Sequence, residues 1–325
     1  MAPFSAIFIC FPFRCHYPFI KLFFDECRVN IVIVGPGAVG SLWATKLYAS
    51  GHRVSLWSTS NEPERLIQLG DSPPTQFRNH DINAVQHADL ILVTVKAWQV
   101  STALSALKAN IAQDAIIVLM HNGMGSAEAI NAQYPSNPLV LATTTHGAFK
   151  PSKQKVIHTG RGETQLGGFN TLGQQCQFLE SVMDHALPDV QWSSNIIPSL
   201  WKKLAVNCAV NPLSAIHQIT NGQLAQPHYQ LTIEKLLVEV HKVMVAEGII
   251  IDRAELVNTV SNVIRATAEN YSSMQQDIFY QRPSEIDFIT GYLLERASVH
   301  GIAAPINRSL FEKIKQIELN YWKGQ

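Results

Sequence analysis

The chain opens its regular pattern at residues 29–34, VNIVIV, a short β-branched run that fits a buried strand. GPGAVG follows it, and then SLWATKLYASG reads as a helix stopped by Gly51. RVSLW is a second strand, so the first 30 residues of the pattern form a strand–turn–helix–strand unit. ADLILVTVK (88–96) and AIIVLM (115–120) are further buried strands, and QVSTALSALKANI between them has helical spacing. Residues 138–146, 154–168 and 189–192 read as later strands, the glycine-rich 154–168 stretch as a hairpin or edge region. Alternating strands and helices imply a parallel sheet covered on both faces.

Beyond residue 194 the pattern changes. SLWKKLAVNCAVNPLSAI, YQLTIEKLLVEVHKVMVAEG, AELVNTVSNVIRATAENYSSMQQDI and SEIDFITGYLLERASVHG all carry helical periodicity, with no strong strand among them. The expected organisation is an α/β Rossmann-type dinucleotide-binding domain over 29–193, then an all-helical C-terminal domain over 194–325 that carries substrate and catalysis. Residues 1–28 match neither: eight aromatics and three of the five cysteines crowd there. Arg14, His16, Lys21 and prolines interrupt the run too often for a membrane span, and the start lacks the basic end of a secretory signal. That segment is expected to lie outside the fold, as an extension or a misassigned start.

Composition narrows the function. Hydrophobic residues make up 46% and charged residues 15%, ample for two cores. Twenty-five basic residues balance twenty-five acidic ones, which leaves no basic field for nucleic acid or an anionic membrane. Five irregularly spaced cysteines without a CxxC or Cys/His cluster suggest reduced thiols in a cytoplasmic protein and no metal site.

Gly35-Pro36-Gly37-Ala38-Val39-Gly40 is a G-x-G-x-x-G between a strand and a helix, the setting in which the motif binds a dinucleotide. Gly35 permits the tight turn, Gly37 lets a pyrophosphate approach the backbone, and Gly40 allows close packing of helix on strand. The helix N-terminus adds free N–H groups and positive potential. At the end of the second strand, where an acid would bind ribose hydroxyls, the chain reads Ser58-Thr59-Ser60. No acid repels a 2′-phosphate there. No arginine stands there either: Arg53 lies at the strand's start and Arg65 further on. Lys96, at a strand's carboxyl end, is either the missing positive charge or a solvated strand-end lysine. Asn122, in His121-Asn122-Gly123-Met124-Gly125, is either a cofactor-crevice residue or part of an Asn-Gly turn.

Lys203, Asn207 and Asn211 are spaced i, i+4, i+8 and so share one side of a helix, drifting about 40° per step. Their neighbours are apolar, so a polar substrate in a cleft would partner this stripe. Asn270 and Ser273, spaced i, i+3, would share a face of a later helix near Ser272 and Asp277. Glu285 sits in a Ser284–Asp287 stretch that resembles a capping box, which is its alternative role. A lysine facing a carboxylate beside a nicotinamide suggests carbonyl reduction, with Lys203 as proton donor.

GPGAVGSLW, VTVKAWQV, HNGMG, TTTHGA, LWKKLAVNCAVNPLSAI, NGQL, TAENYSSMQQDI and SEIDFITGYLLERA together resemble the 2-dehydropantoate 2-reductase (ketopantoate reductase) family over about residues 29–320. The resemblance implies NADPH-dependent reduction of ketopantoate to (R)-pantoate in pantothenate and coenzyme A biosynthesis, by a monomer or homodimer. It implies that Gly35 through Gly40, Thr59, Lys96, Asn122, Ala148 and Glu285 contact NADPH. Asn122, Lys203, Asn207, Asn211, Asn221, Asn270 and Ser273 would hold substrate, and Lys203 and Glu285 would be catalytic. Thr59 stands where members often carry an arginine for the 2′-phosphate. The alternatives are a reductase of another branched 2-oxo acid and a catalytically silent dinucleotide-sensing protein.

Overall fold

The computed structural model describes residues 28–323. Apart from Arg28, the expectation for residues 1–28 falls outside the described residues.

The VNIVIV run forms β1 (Asn30–Val34), whose last four residues are buried. The glycine turn leads into α1 (Ala38–Ala49), which ends at Ser50 before Gly51 takes a φ of 92°. β2 (Arg53–Trp57) returns parallel to β1. Then come β3 (Glu64–Leu69), β4 (Thr75–Arg78) and α2 (Ile82–Gln86). The alternation resumes with β5 (Leu90–Val93), α3 (Val100–Ser105), β6 (Ile116–Leu119), α4 (Ala127–Gln133) and β7 (Leu139–Thr144). β8 (Gly147–Phe149), β9 (Lys155–Gly160), β10 (Thr164–Gly168), α5 (Leu179–Ala186) and β11 (Val190–Trp192) complete this part.

Seven strands form one sheet in the order β11-β10-β7-β6-β5-β1-β2. The run from β2 to β7 is parallel, while β10 lies antiparallel to β7. The chain leaves β1 toward β2 and later comes back to β1's other side as β5. The β1–β5 junction is therefore the topological switch point, where ligands of such sheets collect at the carboxyl ends of the strands. The glycine turn follows β1 and Lys96 follows β5, so both stand at that junction.

A second sheet, β4-β3-β9-β8, has no counterpart in the sequence reading of residues 61–80. Its β3 and β4 are mostly polar, and Ile67 and Phe77 are their fully buried residues. It covers the side of α1 that faces away from the main sheet. That explains why α1 is buried nearly all round, with Leu42, Trp43, Ala44 and Leu47 sealed.

The second half is helical: α6 (Ile197–His217), α7 (Pro227–Ala246), α8 (Arg253–Ala266), α9 (Ser273–Phe279), α10 (Thr290–Val299) and α11 (Pro305–Lys323). It packs around its own apolar core, which includes Trp201, Leu237, Val240 and Leu293. α6 runs unbroken through Pro212. Among the described residues no helix is long and apolar enough to cross a membrane.

Two expectations need correction. Residues 254–278 are not one helix. α8 stops at Ala266, and Ser272 takes an extended conformation and caps α9, its hydroxyl accepting from the Gln275 N–H at 3.0 Å. Asn270 therefore lies in the intervening turn and shares no helical face with Ser273. Likewise the 284–301 stretch starts as a single 3₁₀ turn at Ile286–Phe288 before α10 begins.

Candidate active site

The glycine turn has the geometry that a phosphate cradle needs. At Gly35, with φ 87°, a Cβ would fall 2.3 Å from Val95 Cγ1. At Gly40 it would fall 2.3 Å from Thr94 Oγ1 and 2.5 Å from the Gly35 carbonyl oxygen, because α1 crosses β1 and β5 this closely. At Gly37 nothing lies nearer than 4.0 Å, so this face of the turn is open. No side chain caps α1, and its first turn carries no acid. An open backbone face at an uncapped helix N-terminus fits the pyrophosphate of a dinucleotide. Gly40→Ala is expected to destabilise the fold by about 1–3 kcal/mol through overpacking against backbone. A thermal melt checks this, and nucleotide titration is expected to show weakened binding in the same variant.

Glu285 lies at the centre of the polar cluster and is 3% exposed. Its side chain does not take the alternative capping role. Ser284 Oγ accepts from the Ile286 N–H at 3.2 Å, and the Glu285 carboxylate turns across the cleft instead. One oxygen accepts from the Ala97 N–H at 3.0 Å. The other accepts from Asn122 Nδ2 at 3.2 Å and from Lys96 Nζ at 3.3 Å. Lys96 also donates to Asp277 at 2.6 Å. Lys96 and Asn122, from the loops after β5 and β6, thus meet Glu285 and Asp277 from the helical part. Burial would lower the Lys96 pKa, but Glu285 and Asp277 outweigh it and hold the ammonium charged. Burial raises Asp277 despite Lys96.

The HNGMG loop is locked to the helical part beside this cluster. The Met124 N–H donates to the Phe288 carbonyl at 2.8 Å. A Cβ at Gly123 would lie 2.4 Å from that carbonyl oxygen, and its φ of 83° suits glycine alone. His121 is held by Ser126 Oγ at 2.8 Å from Nε2, and burial lowers its pKa.

Lys203 reaches from α6 to the carboxyl end of β7, where Nζ donates to the Thr144 carbonyl at 2.8 Å. Burial pushes its pKa down to about 8, and nearby Glu285 pulls the other way. Asn207 and Asn211 continue the same side of α6, half-buried and buried, and their amides make no hydrogen bond with any described residue. Asn221 opens a 3₁₀ turn after α6. Its Nδ2 donates to Thr267 Oγ1 at 2.9 Å, while Oδ1 is buried without a partner among the described residues. The Asn221 N–H donates to the Asn270 carbonyl at 2.9 Å, which brings these two residues together. The side chains of Asn270 and Ser273 are exposed. Thr59 is exposed beyond β2, and Ala148 is half-buried in β8.

Three participants escaped selection as site residues. Asp277 was noted only as a neighbour of Ser273, and its ion pair with Lys96 spans 181 residues. The Thr144 carbonyl has no side-chain signature. Lys150 donates to the Pro36 carbonyl at 2.7 Å and to Ser41 Oγ at 3.0 Å, against the glycine turn. Its position just past TTTHGA was the available signal.

Comparison with known proteins places these features in a family. Residues 31–171 match the family model of ketopantoate reductase PanE/ApbA, and residues 195–318 match that of its C-terminal domain. The 2-dehydropantoate 2-reductase of Vibrio cholerae serotype O1 is 50% identical over 296 residues, spanning 91% of this chain and all of that one. That of Escherichia coli O157:H7 is 40% identical over 297 residues, spanning 90% and 96%. The crystal structure of a PanE/ApbA family ketopantoate reductase from Ralstonia eutropha JMP134 superposes with a TM-score of 0.80 at 28% identity, covering 89% of this chain and 99% of that one. A D-mandelate dehydrogenase solved with NADH and anilino(oxo)acetate has the same fold, with a TM-score of 0.83 at 23% identity and coverage of 89% and 98%. With both family models matched in order along one chain, the protein is a member of the ketopantoate reductase family of oxidoreductases.

Proposed function

We propose that this chain reduces 2-dehydropantoate to (R)-pantoate with NADPH, in the route to pantothenate. The observation that carries the reading is Lys203: a half-buried lysine whose pKa burial pushes down to about 8, beside Glu285, heading a stripe of two amides that have no hydrogen-bond partner among the described residues. NADPH, when bound, supplies the hydride. Lys203 delivers the proton to the ketone oxygen and stabilises the negative charge that develops on it. A group that titrates near 8 is mostly protonated at neutral pH, yet gives up its proton far more readily than an exposed lysine.

Asn207 and Asn211 hold the polar groups of the substrate, and the free Asn221 oxygen accepts from a substrate hydroxyl. An unpaired buried acceptor costs about 1–3 kcal/mol, which such a ligand recovers. Asn270 and Ser273 line the outer edge of the same pocket. Gly35 through Gly40 cradle the cofactor phosphates, with Lys96, Asn122 and Ala148 along the cofactor. Glu285 keeps Asn122 and Lys96 in register. In this reading the substrate and catalytic residues belong mostly to a domain over 194–325 and the cofactor residues to one over 29–193.

The test compares NADPH oxidation driven by 2-dehydropantoate with that driven by 2-oxobutanoate, 2-oxoisovalerate and phenylglyoxylate. The highest kcat/KM is expected for 2-dehydropantoate. A tenfold preference for another 2-oxo acid would overturn the substrate assignment while leaving the chemistry in place.

A further inference from the structure

The end of β2 lacks the positive charge that a 2′-phosphate needs, since Ser58, Thr59 and Ser60 are neutral. Two cations of the small-sheet region, Lys150 and Arg65, have no ion-pair partner among the described residues. Lys150 follows β8 and lays its ammonium on the glycine turn, and both its acceptors, the Pro36 carbonyl and Ser41 Oγ, are uncharged. Arg65 is on β3, just after the chain has left β2. It shares a strand face with Ile67 and Leu69, which pack on the α1 side of the small sheet, so it points to the same region. It is half-buried, and its guanidinium has no ion-pair partner among the described residues. Burial lowers the Lys150 pKa to about 8, with Arg65 a further cause in the same direction. A half-buried ammonium whose charge a neighbouring guanidinium disfavours, with neither in an ion pair among the described residues, is the electrostatic arrangement of an anion site.

Resting on the NADPH reading above, we infer that Lys150 and Arg65 bind the ribose 2′-phosphate and give this chain its preference for NADPH over NADH. The small sheet, β4-β3-β9-β8, thus does more than cover α1: it brings Lys150 to the turn and Arg65 to the neighbourhood of Lys150. Thr59 leaves the space, and the charge arrives from outside β2. A guanidinium can grip a phosphate with two parallel N–H groups, and an ammonium adds a point charge.

The test is equilibrium binding, followed by nucleotide fluorescence, of NADPH and NADH to the wild-type protein and to Lys150→Met, Arg65→Met and Lys150→Arg. In each Met variant the Kd for NADPH is expected to rise by about tenfold or more, the scale of one charge-assisted contact, with NADH changed less than about threefold. Lys150→Arg is expected to keep NADPH binding. Retained NADH affinity also reports a folded site. Equal weakening for both nucleotides would overturn the inference, because it would mean that Lys150 only shapes the turn or meets the pyrophosphate. Unchanged NADPH binding would overturn it as well. A wild-type protein that binds neither nucleotide, or prefers NADH, would sink the cofactor reading itself and this inference with it.

Discussion

Lys203→Ala is expected to lower kcat for 2-dehydropantoate reduction by at least about 10²-fold, the usual contribution of a positioned proton donor. The fold is expected to remain, since burial opposes the charged form of Lys203 and its hydrogen bond, to the Thr144 carbonyl, is with a strand end. KM is expected to change less than kcat, because the proton is needed only as the oxygen gains charge. Lys203→Arg is not expected to rescue, since a guanidinium keeps its proton. The wild-type pH profile follows from the same residue. In the proposed mechanism the reduction needs the ammonium, and burial has brought its pKa down from 10.5 to about 8. The rate of reduction is therefore expected to fall as pH rises through about 8, and that limb is expected to be absent from Lys203→Ala. Steady-state rates between pH 6 and 10 check both statements; a limb that survives in the variant would assign it to another group.

Glu285→Gln is expected to reduce turnover by about 10–10²-fold and to move the basic limb to lower pH. The sign follows from the electrostatics: Glu285 raises the Lys203 pKa against the larger effect of burial, so neutralising the carboxylate lets burial act alone. The glutamine also contacts Ala97, Lys96 and Asn122 less well, because its amide offers one acceptor where the carboxylate offers two. Lys96 keeps Asp277, so the loop after β5 is not released altogether. Glu285→Ala is the harsher change. It leaves buried donors unpaired and is expected to cost about 3–5 kcal/mol of stability, the cost of breaking a buried ion pair from one side. A basic limb at the wild-type pH in Glu285→Gln would mean that the two residues do not communicate.

Local pattern made much of this site legible, and long-range pairing hid the rest. The strand–turn–helix around Gly35–Gly40 is dictated within a few residues, and its steric demands at Gly35 and Gly40 are those that the motif implies. The Lys203, Asn207, Asn211 stripe is set by helical spacing within α6, which Pro212 does not break. Glu285 could not be settled locally. As a cap and as a cross-cleft carboxylate it has the same neighbours in sequence, and only the arrival of Ala97 and Asn122 distinguishes the two. The stop between α8 and α9 was missed because periodicity continues across residues 267–272. The turn after α8 is engaged by the 221–222 backbone, whose N–H groups donate to the Asn270 and Ala268 carbonyls, and the Ser272 hydroxyl then starts a new helix, capping Gln275 and meeting Ser214 Oγ at 2.7 Å. β3 and β4 were missed because their outer faces are solvated and their inner faces hold few apolar residues against α1. Beyond its position just past TTTHGA nothing local marks Lys150, whose contacts with Pro36 and Ser41 depend on that small sheet folding back over the glycine turn.

The product is the most direct test of the proposed reaction. Purified protein given NADPH and 2-dehydropantoate is expected to form one (R)-pantoate for each NADPH consumed, identified by chiral chromatography. Tight NADPH binding without formation of pantoate would contradict the central claim, and would return the chain to the role of a nucleotide-binding protein on a reductase fold.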